Sequence, residues 1–515
     1  MYLEINNIIE QSTFNKFKKF IILLNVIFSF IQLTITPNYS EIILILILIN
    51  LGSGIACQIS LNRNNLTYFL IPSLMILTTN FFYLVLPLFF TTIVGQAINT
   101  NLEVANKSFV VSFIYLLTVI VAMKLVMMLS DNENNRSNNN NIFFKLNVFN
   151  LPNYKATLVI FYIILLLKFY LAIFDAGLNN STDLGDKGMK FLYGLQKFFN
   201  LPIIMFFYFY FLRNQISKKK ITTFIIINLI LSVLFATLTS SRTLIFEMLF
   251  IIIFCYFLLF LTKKIYLNGQ KILYIVILII SFATVIEILS NKILASRMHM
   301  KDVSSFDLLK MSAESNGLDQ KITLDNFHAS EYEYTDNLLI NRFTPIKYLD
   351  KMLYDASFLS NEDIIEFRSF ILFKFLSVLP QNFTNIIFPD YNKINFMVGN
   401  GSMMERLAYN KFGGDFNKGS FIGEIYLLSG SYFLCFLIIF FLYLFLFTII
   451  SKFQYNDGNK IHFSPLILMM IFNLLYASQA DTTVSFFILI IRMPLETILL
   501  YNLLRFFIFR NQIST

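Results

Sequence analysis

Long apolar stretches alternate with short polar segments along almost the whole chain. A stretch of about 20 apolar residues can cross the roughly 30 Å hydrocarbon core of a bilayer as one helix. The pattern therefore predicts an all-α, polytopic integral membrane protein with about twelve transmembrane helices. We place them at residues 20–36, 41–60, 67–90, 108–129, 154–175, 191–212, 221–240, 243–262, 271–290, 423–450, 461–478 and 484–508.

One interval breaks this alternation. Residues 291–422 contain no stretch that we interpret as a span, which predicts helices 1–9 in residues 1–290, a large external loop, and helices 10–12 in residues 423–515. Loops of this length tend to be functional. Helical periodicity over 337–358 and an apolar stretch over 364–380 predict a mostly helical cap that lies partly in the membrane interface.

Composition supports the membrane class. Hydrophobic residues make up 57% of the chain and charged residues 14%, whereas soluble proteins carry about 25% charged residues. The net charge of +9 comes from Lys and Arg in short loops between spans, so it argues against nucleic acid as a partner. The cysteines at 57, 255 and 435 lie in apolar stretches and are typical of small core residues.

The basic residues also predict the orientation. They concentrate in alternate loops, and the positive-inside rule places those loops and both termini in the cytoplasm. The external loop then faces the periplasm or the extracellular space. The loops of the basic set carry Lys16, Lys18, Lys19, Arg63, Arg136, Lys145, Arg213, Lys218, Lys219, Lys220, Lys263, Lys264, Lys452, Lys460, Arg505 and Arg510.

Arginines on the predicted outer side are the clearest candidates for chemistry, because external loops should be poor in them. Guanidinium groups bind phosphates with two parallel hydrogen bonds and stay charged, which would suit a diphosphate lipid headgroup. Ion pairing with nearby acids, or reaching out to lipid headgroups, is the alternative role. The candidates are Arg242, Arg297, Arg342, Arg368 and Arg406, the last preceded by Glu405.

Two residues are candidate general bases. His299 has the side chain whose ordinary pKa lies nearest neutrality, although it could also be an ordinary loop residue. Glu424 stands at the start of the tenth predicted span, where a carboxylate caps a helix N-terminus, faces a polar cavity, or does both.

A glycine-rich segment, KFGGDFNKGSFIGEIYLLSG, precedes that span. Glycines allow the backbone to approach a ligand closely, and free N–H groups before a helix bind anions. The segment therefore predicts a polar turn that brings Lys418 and Glu424 to a phosphate or sugar; a flexible hinge is the alternative. Charges inside the spans, among them Lys168, Glu247 and Arg492, are costly enough to require a function or a partner.

Together these features resemble Wzy-type O-antigen and capsular polysaccharide polymerases. The resemblance rests on the number of spans, the late external loop, the SSR turn between spans seven and eight, and the ordered run NRFTPIKYLD, SVLPQNF, FPD and KFGGDFNKGSFIGEIYLLSG. Topology is similar along most of the chain, and the motifs lie between about 239 and 430.

The resemblance implies a glycosyltransferase of the bacterial cytoplasmic (inner) membrane. Such an enzyme polymerises undecaprenyl-diphosphate-linked oligosaccharide repeat units for capsule or lipopolysaccharide, without a cofactor or metal. The membrane lipids, a chain-length regulator and a flippase are the expected partners. In this scheme Arg242, Arg342, Arg368 and Arg406 bind the diphosphate, with Arg297, Glu405 and Lys418 as further substrate ligands, and His299 or Glu424 is the base.

Other functions fit the sequence as well. An O-antigen ligase-like enzyme uses the same donor with a different acceptor. A lipid-linked oligosaccharide flippase shares the number of spans but transports its substrate and needs no large external loop. Glycosyltransferases that use polyprenyl-phosphate sugars need a carboxylate motif in the first external loop, which here contains Glu41 and no second acid.

Overall fold

Apolar stretches of the sequence form helices because lipid offers the backbone no hydrogen-bond partners, so a spanning segment must satisfy its own N–H and C=O groups. The computed structural model describes residues 2–4, 10–36, 39–131, 153–174, 198–211, 216–238, 243–261, 344–379, 381–389, 398–410, 419–456, 460–476 and 482–508, and the separate positions 143, 146, 148, 149, 263, 391, 392 and 396.

The first half of the described chain contains ten helices. They are α1 (Gln11–Ile35), α2 (Tyr39–Ser60), α3 (Arg63–Tyr68), α4 (Leu70–Asn80), α5 (Leu86–Val94), α6 (Ala105–Asp131), α7 (Tyr154–Phe174), α8 (Leu201–Phe211), α9 (Lys218–Leu238) and α10 (Thr243–Leu261). A single π-helical turn, Phe81–Val85, joins α4 to α5 in one continuous helical segment, Leu70–Val94.

The second half begins with five helices that we call the cap: α11 (Ile346–Asp355), α12 (Asn361–Leu376), α13 (Gln381–Ile387), α14 (Asn400–Tyr409) and α15 (Phe421–Ser429). A 3₁₀ turn, Ala356–Phe358, follows α11. After the cap come α16 (Tyr432–Ser451), α17 (Pro465–Tyr476), α18 (Thr483–Phe487) and α19 (Met493–Ile508), with a π turn, Ile488–Arg492, between the last two.

Six described helical segments are long and apolar enough to cross a membrane. They are Gln11–Ile35, Tyr39–Ser60, Leu70–Val94, Ala105–Leu129, Tyr432–Ser451 and Thr483–Phe506. The chain is thus a helical protein of membrane character, and helices α7, α9 and α10 coincide with further predicted spans. The total of twelve spans stays a prediction, and the predicted span 271–290 lies outside the described residues.

A small sheet is the one departure from the predicted all-α class in the described part of the chain. Strand β3 (Lys460–Phe463) pairs antiparallel with β1 (Tyr2–Glu4) on one edge and with β2 (Gln454–Asn456) on the other. The pairing brings the start of the chain beside the connection between α16 and α17. We call this end of the helices the sheet end.

The cap lies at the opposite end. Lys107, near the start of α6, stands 5.8 Å above the ring of Tyr432, at the start of α16. Close by, Gln32 near the end of α1 donates to Thr92 Oγ1 at 2.9 Å and accepts from the Ile98 N–H at 3.0 Å. Helix α11 packs on α6, α14 and α15, so the cap covers the helix termini at this end.

The predicted span 423–450 is two helices. Helix α15 ends at Gly430, which adopts a left-handed conformation with φ of 75°, and α16 starts afresh with Ser431 as N-cap, its hydroxyl accepting from the Leu434 N–H. A left-handed glycine is the usual end of a helix because other residues resist that conformation. Glu424 therefore belongs to the cap rather than to a span, and the predicted domain boundary at 423 falls inside α15.

Candidate functional site

A buried carboxylate joins the cap to the last span. Glu424, in the first turn of α15, has no exposed surface. Its Oε2 accepts from the Thr483 N–H at 2.7 Å and from Thr483 Oγ1 at 2.9 Å. Thr483 begins α18, whose first N–H groups have no partner within their own helix. Glu424 thus caps a helix N-terminus, but the helix is α18 and not its own.

The second carboxylate oxygen leads to a lysine. Asn400, at the start of α14, donates from Nδ2 to Glu424 Oε1, and its Oδ1 accepts from Lys374 Nζ. Lys374 also donates to the carbonyl of Val398 at 2.6 Å. The amide of Asn400 therefore bridges a cation and an anion, and four cap and span elements meet around it: α12, α14, α15 and α18.

Burial sets the electrostatics of this cluster. Removal from water raises the pKa of the Glu424 carboxyl to about 7, against the hydrogen bonds from Thr483 and Asn400 and the charge of Lys374, which lower it. Burial lowers the pKa of Lys374, and the nearby Glu424 opposes that change. The carboxyl therefore exchanges its proton near neutrality while it remains enclosed by protein.

A second cap carboxylate makes the same kind of contact. Asp350 in α11 accepts from the backbone N–H of Glu103 at 2.7 Å, from that of Val104 at 3.1 Å, and from Ser108 Oγ at 2.8 Å. These groups stand at the N-terminus of α6, where a negative charge is stabilised by the helix dipole. Two acids of the cap thus hold the starts of two spans.

A cavity of about 310 Å³ opens between α12 and α14. Arg406 and Glu366 supply opposite charges to its lining, and Ser369 and Ser402 supply hydroxyls. Its remaining walls are apolar, and they are formed by Phe370, Phe373, Phe396, Val398 and Met403. Small-molecule sites of about 300–1,000 Å³ commonly combine apolar walls with a few polar groups in this way.

The structure brings together part of the predicted site. Glu424, Arg368 and Arg406 all lie in the cap, and Arg406 lines the cavity. Arg368 Nε donates to the carbonyl of Leu427 at 2.8 Å, so this guanidinium supports the end of α15. Glu405 is half-buried. Burial is the main reason why the pKa of the Asp355 carboxyl is raised, and the negative charge of Glu405 raises it further.

The other predicted site residues lie outside the described residues: Arg242, Arg297, His299, Arg342 and Lys418. Conversely, the sequence prediction missed four residues. Lys374, Asn400 and Thr483 belong to the buried cluster around Glu424, and Asp350 binds the N-terminus of α6. Lys374 carried a signal, because it is the single charged residue of the apolar stretch 369–380. Asn400 and Thr483 are ordinary polar residues with no local signature.

Within the described residues, no group of three or more His, Cys, Asp and Glu side chains is arranged to hold a metal ion. The cluster chemistry available here is hydrogen bonding, charge stabilisation and proton exchange. No protein-family model matches the chain, and neither a curated protein nor a solved structure matches it. The resemblance to Wzy-type polymerases therefore stays a hypothesis that rests on the sequence features given above.

Proposed function

We propose that this protein is a membrane glycosyltransferase that joins undecaprenyl-diphosphate-linked oligosaccharide repeat units into O-antigen or capsular polysaccharide. The reaction would take place on the outer face of the bacterial cytoplasmic membrane, with both termini of the chain in the cytoplasm. The observation that carries the proposal is the cavity in the cap, where Arg406 and Glu366 face a space walled by aromatic rings. A sugar ring packs its apolar face on such rings and directs its hydroxyls to the charged groups.

The glycosyl transfer requires few protein groups. The bond between the anomeric carbon and the donor diphosphate breaks, and its electron pair leaves with the undecaprenyl diphosphate. The acceptor hydroxyl oxygen forms the new glycosidic bond and gives its proton to a base. Because a diphosphate leaves readily, guanidinium groups that stabilise its developing charge are the main requirement. Direct displacement in one step would invert the configuration at the anomeric carbon.

The structure describes one of the two candidate bases, Glu424. A base must come within hydrogen-bond distance of the acceptor hydroxyl, whereas Glu424 is fully enclosed and already accepts from Asn400 and Thr483. This arrangement supports a positioning role for Glu424 at the junction of cap and span. The proposal therefore assigns proton abstraction to His299 and diphosphate binding to Arg406, with Arg242 and Arg342 as further ligands.

The test is complementation of a strain from which the gene has been deleted, with polymer length measured by gel electrophoresis. We expect the deletion strain to display single repeat units on its surface, and Arg406→Ala to shorten or abolish the polymer. Arg63→Ala, at the opposite end of the helices, is the matched control and should leave polymer length unchanged.

The same experiment separates the rival functions. Loss of a flippase would leave no repeat units on the surface, and loss of a ligase would leave polymer that is not transferred to its acceptor. Either result would contradict the proposal. Polymer of normal length from both single variants, Arg406→Ala and His299→Ala, would contradict it as well. Retained anomeric configuration in the purified product would overturn the one-step mechanism.

A further inference from the structure

Helix α12 of the cap descends beside the last span. A chain of hydrogen bonds through Asn400 and Glu424 connects Lys374 to Thr483. Further along both helices, the ring of Phe375 packs edge-on against that of Phe487, with centroids 5.0 Å apart. These contacts advance in the same direction along α12 and along the span.

A third contact lies deeper still. Arg492 Nη1 donates to the carbonyl of Val378 at 3.2 Å. Arg492 stands about 13 Å beyond Thr483 along the helix axis. The candidate span Thr483–Phe506 has 24 residues, or about 36 Å of helix, against roughly 30 Å of hydrocarbon. With the span centred in the bilayer, Phe487 lies about 3 Å below the hydrocarbon surface, and Val378, three residues beyond Phe375, lies roughly 5 Å deeper than that contact.

The chain then returns to the level from which it descended. The ring of Phe388 packs edge-on against Phe373, with centroids 6.1 Å apart, and Tyr391 donates its hydroxyl to the Phe373 carbonyl at 3.1 Å. The rings of Tyr391 and Phe396 stack on each other. We call the part between these contacts, residues 372–379 and 381–388, the dipping segment.

The dipping segment presents apolar side chains outward. Ile386 is 77% exposed, Ile387 66% and Leu372 61%, and Leu379 and Phe388 are exposed as well. Soluble proteins rarely expose so many large apolar side chains side by side to water. On the neighbouring span, Leu495 and Leu499 are also exposed and would face lipid. They follow Arg492 along the span, so the apolar surface of the span continues inward from the level of the dipping segment.

Arg492, the charged residue of the span beside this segment, has partners within the protein. Arg492 Nε donates to Glu496 Oε1 at 2.5 Å, and its Nη1 holds the Val378 carbonyl. Non-helical backbone at membrane depth is tolerated where protein groups satisfy it. The arginine that was costly in an apolar stretch thus has two partners, a carboxylate one turn away and the end of the cap helix.

From this geometry we propose that the dipping segment is a re-entrant element of the membrane domain, and that lipid acyl chains cover its exposed face. The proposal does not depend on the glycosyltransferase assignment, because it concerns only where the segment lies. Phe373 belongs both to the cavity wall and to the contact with Phe388. The cavity therefore borders the lipid, and an amphiphile could place its polar head there while its chain stays in the membrane.

The chain contains no tryptophan, which allows a direct test by fluorescence. Ile387→Trp would be reconstituted in bilayers, with quenching measured by lipids brominated on their acyl chains and by aqueous iodide. Leu495→Trp on the span is the lipid-facing control. Phe358→Trp, which is exposed in the 3₁₀ turn before α12, is the water-facing control.

We expect Ile387→Trp to behave like Leu495→Trp, with strong quenching by brominated lipid and weak quenching by iodide, and Phe358→Trp to show the reverse. Iodide quenching of Ile387→Trp would overturn the proposal. Protection from both quenchers would overturn it too, because protein, such as a second copy of the chain, would then cover the face.

A second pair of variants guards against a tryptophan that draws the segment into lipid by itself. Ile387→Asp should lower the thermal stability measured in bilayers, because it places a charge among acyl chains. Phe358→Asp should lower it much less. Equal effects from the two aspartates would count against the proposal.

Discussion

Glu424 and Thr483 are 59 residues apart in the chain and are joined by two hydrogen bonds, at 2.7 and 2.9 Å, between one carboxylate oxygen and the N–H and hydroxyl of the threonine. The contact closes the N-terminus of the last span with a side chain from the cap. Since both partners are buried, the bond is protected from competition by water.

Removing the carboxylate should therefore loosen this junction. In Glu424→Ala the Thr483 N–H and the Asn400 amide would stay buried without an acceptor, at about 1–3 kcal/mol for each unsatisfied group. We expect a lower unfolding temperature, which can be followed in detergent with a thiol-reactive dye because Cys57, Cys255 and Cys435 are all buried. Thr497→Ala is the control. Thr497 is as buried as Glu424, but its hydroxyl has no hydrogen-bond partner, so its removal leaves no group unsatisfied. An unchanged unfolding temperature for Glu424→Ala would contradict the structural role.

Glu424 should also make stability depend on pH. Its pKa is about 7 in the folded protein, above the ordinary value of 4.5, so the folded state binds the proton more tightly than the unfolded chain does. By linkage, the contribution of this carboxyl to stability is fully present below about pH 4.5 and falls as the pH rises through about 7.

The measurement compares the wild type with Glu424→Gln, which has no proton to exchange. Unfolding temperatures of the two would be recorded over that pH window. We expect the wild type to lose stability relative to the variant as the pH rises. A constant difference between the two proteins across the window would exclude the raised pKa.

The junction of α11 with α6 should be as sensitive. Asp350→Ala removes the acceptor for the N–H groups of Glu103 and Val104, and loss of a capping side chain costs about 0.5–2 kcal/mol. Asp350→Asn keeps one acceptor oxygen and should cost less. Hydrogen exchange at the start of α6 would report the effect locally, and equal protection in both variants would argue that the cap is not held there.

Gly430 offers a test of the break between α15 and α16. Its φ of 75° is unfavourable for a residue with a side chain, and a Cβ there would stand 3.0 Å from Arg368 Nη2. We expect Gly430→Ala to destabilise the protein by about 1 kcal/mol. Gly54→Ala, in the middle of α2 with open space around it, should instead be neutral or stabilise by up to about 1 kcal/mol.

The spans were the part of the fold that the sequence predicted best. Hydropathy is a property of each stretch alone, so it locates helices such as α2 and α6 without knowledge of their neighbours. It failed at 423–450, where a sliding average passes over Gly430 and Ser431 between two apolar helices. The glycine followed by serine was a local signal for a helix end and a new N-cap.

The site was harder to predict because it is built from long-range contacts. Nothing near Glu424 in the sequence points to Thr483, and Asp350 binds a helix start that lies 246 residues earlier, at Val104. The pair Arg492 and Glu496 is different. Their spacing of four residues places them on one face of a helix, and the structure joins them.

Gly430 interrupts the backbone hydrogen-bond ladder, but it does not separate the two helices that it joins. Helix α15 packs on α16, and the rings of Tyr426 and Tyr432 stack with centroids 4.3 Å apart. Tyr443 of α16 in turn packs against Phe486 beside Thr483, with ring centroids 5.2 Å apart. A change in bilayer thickness that tilts α16 would therefore reach both partners of the Glu424–Thr483 contact, which couples the cap to the membrane.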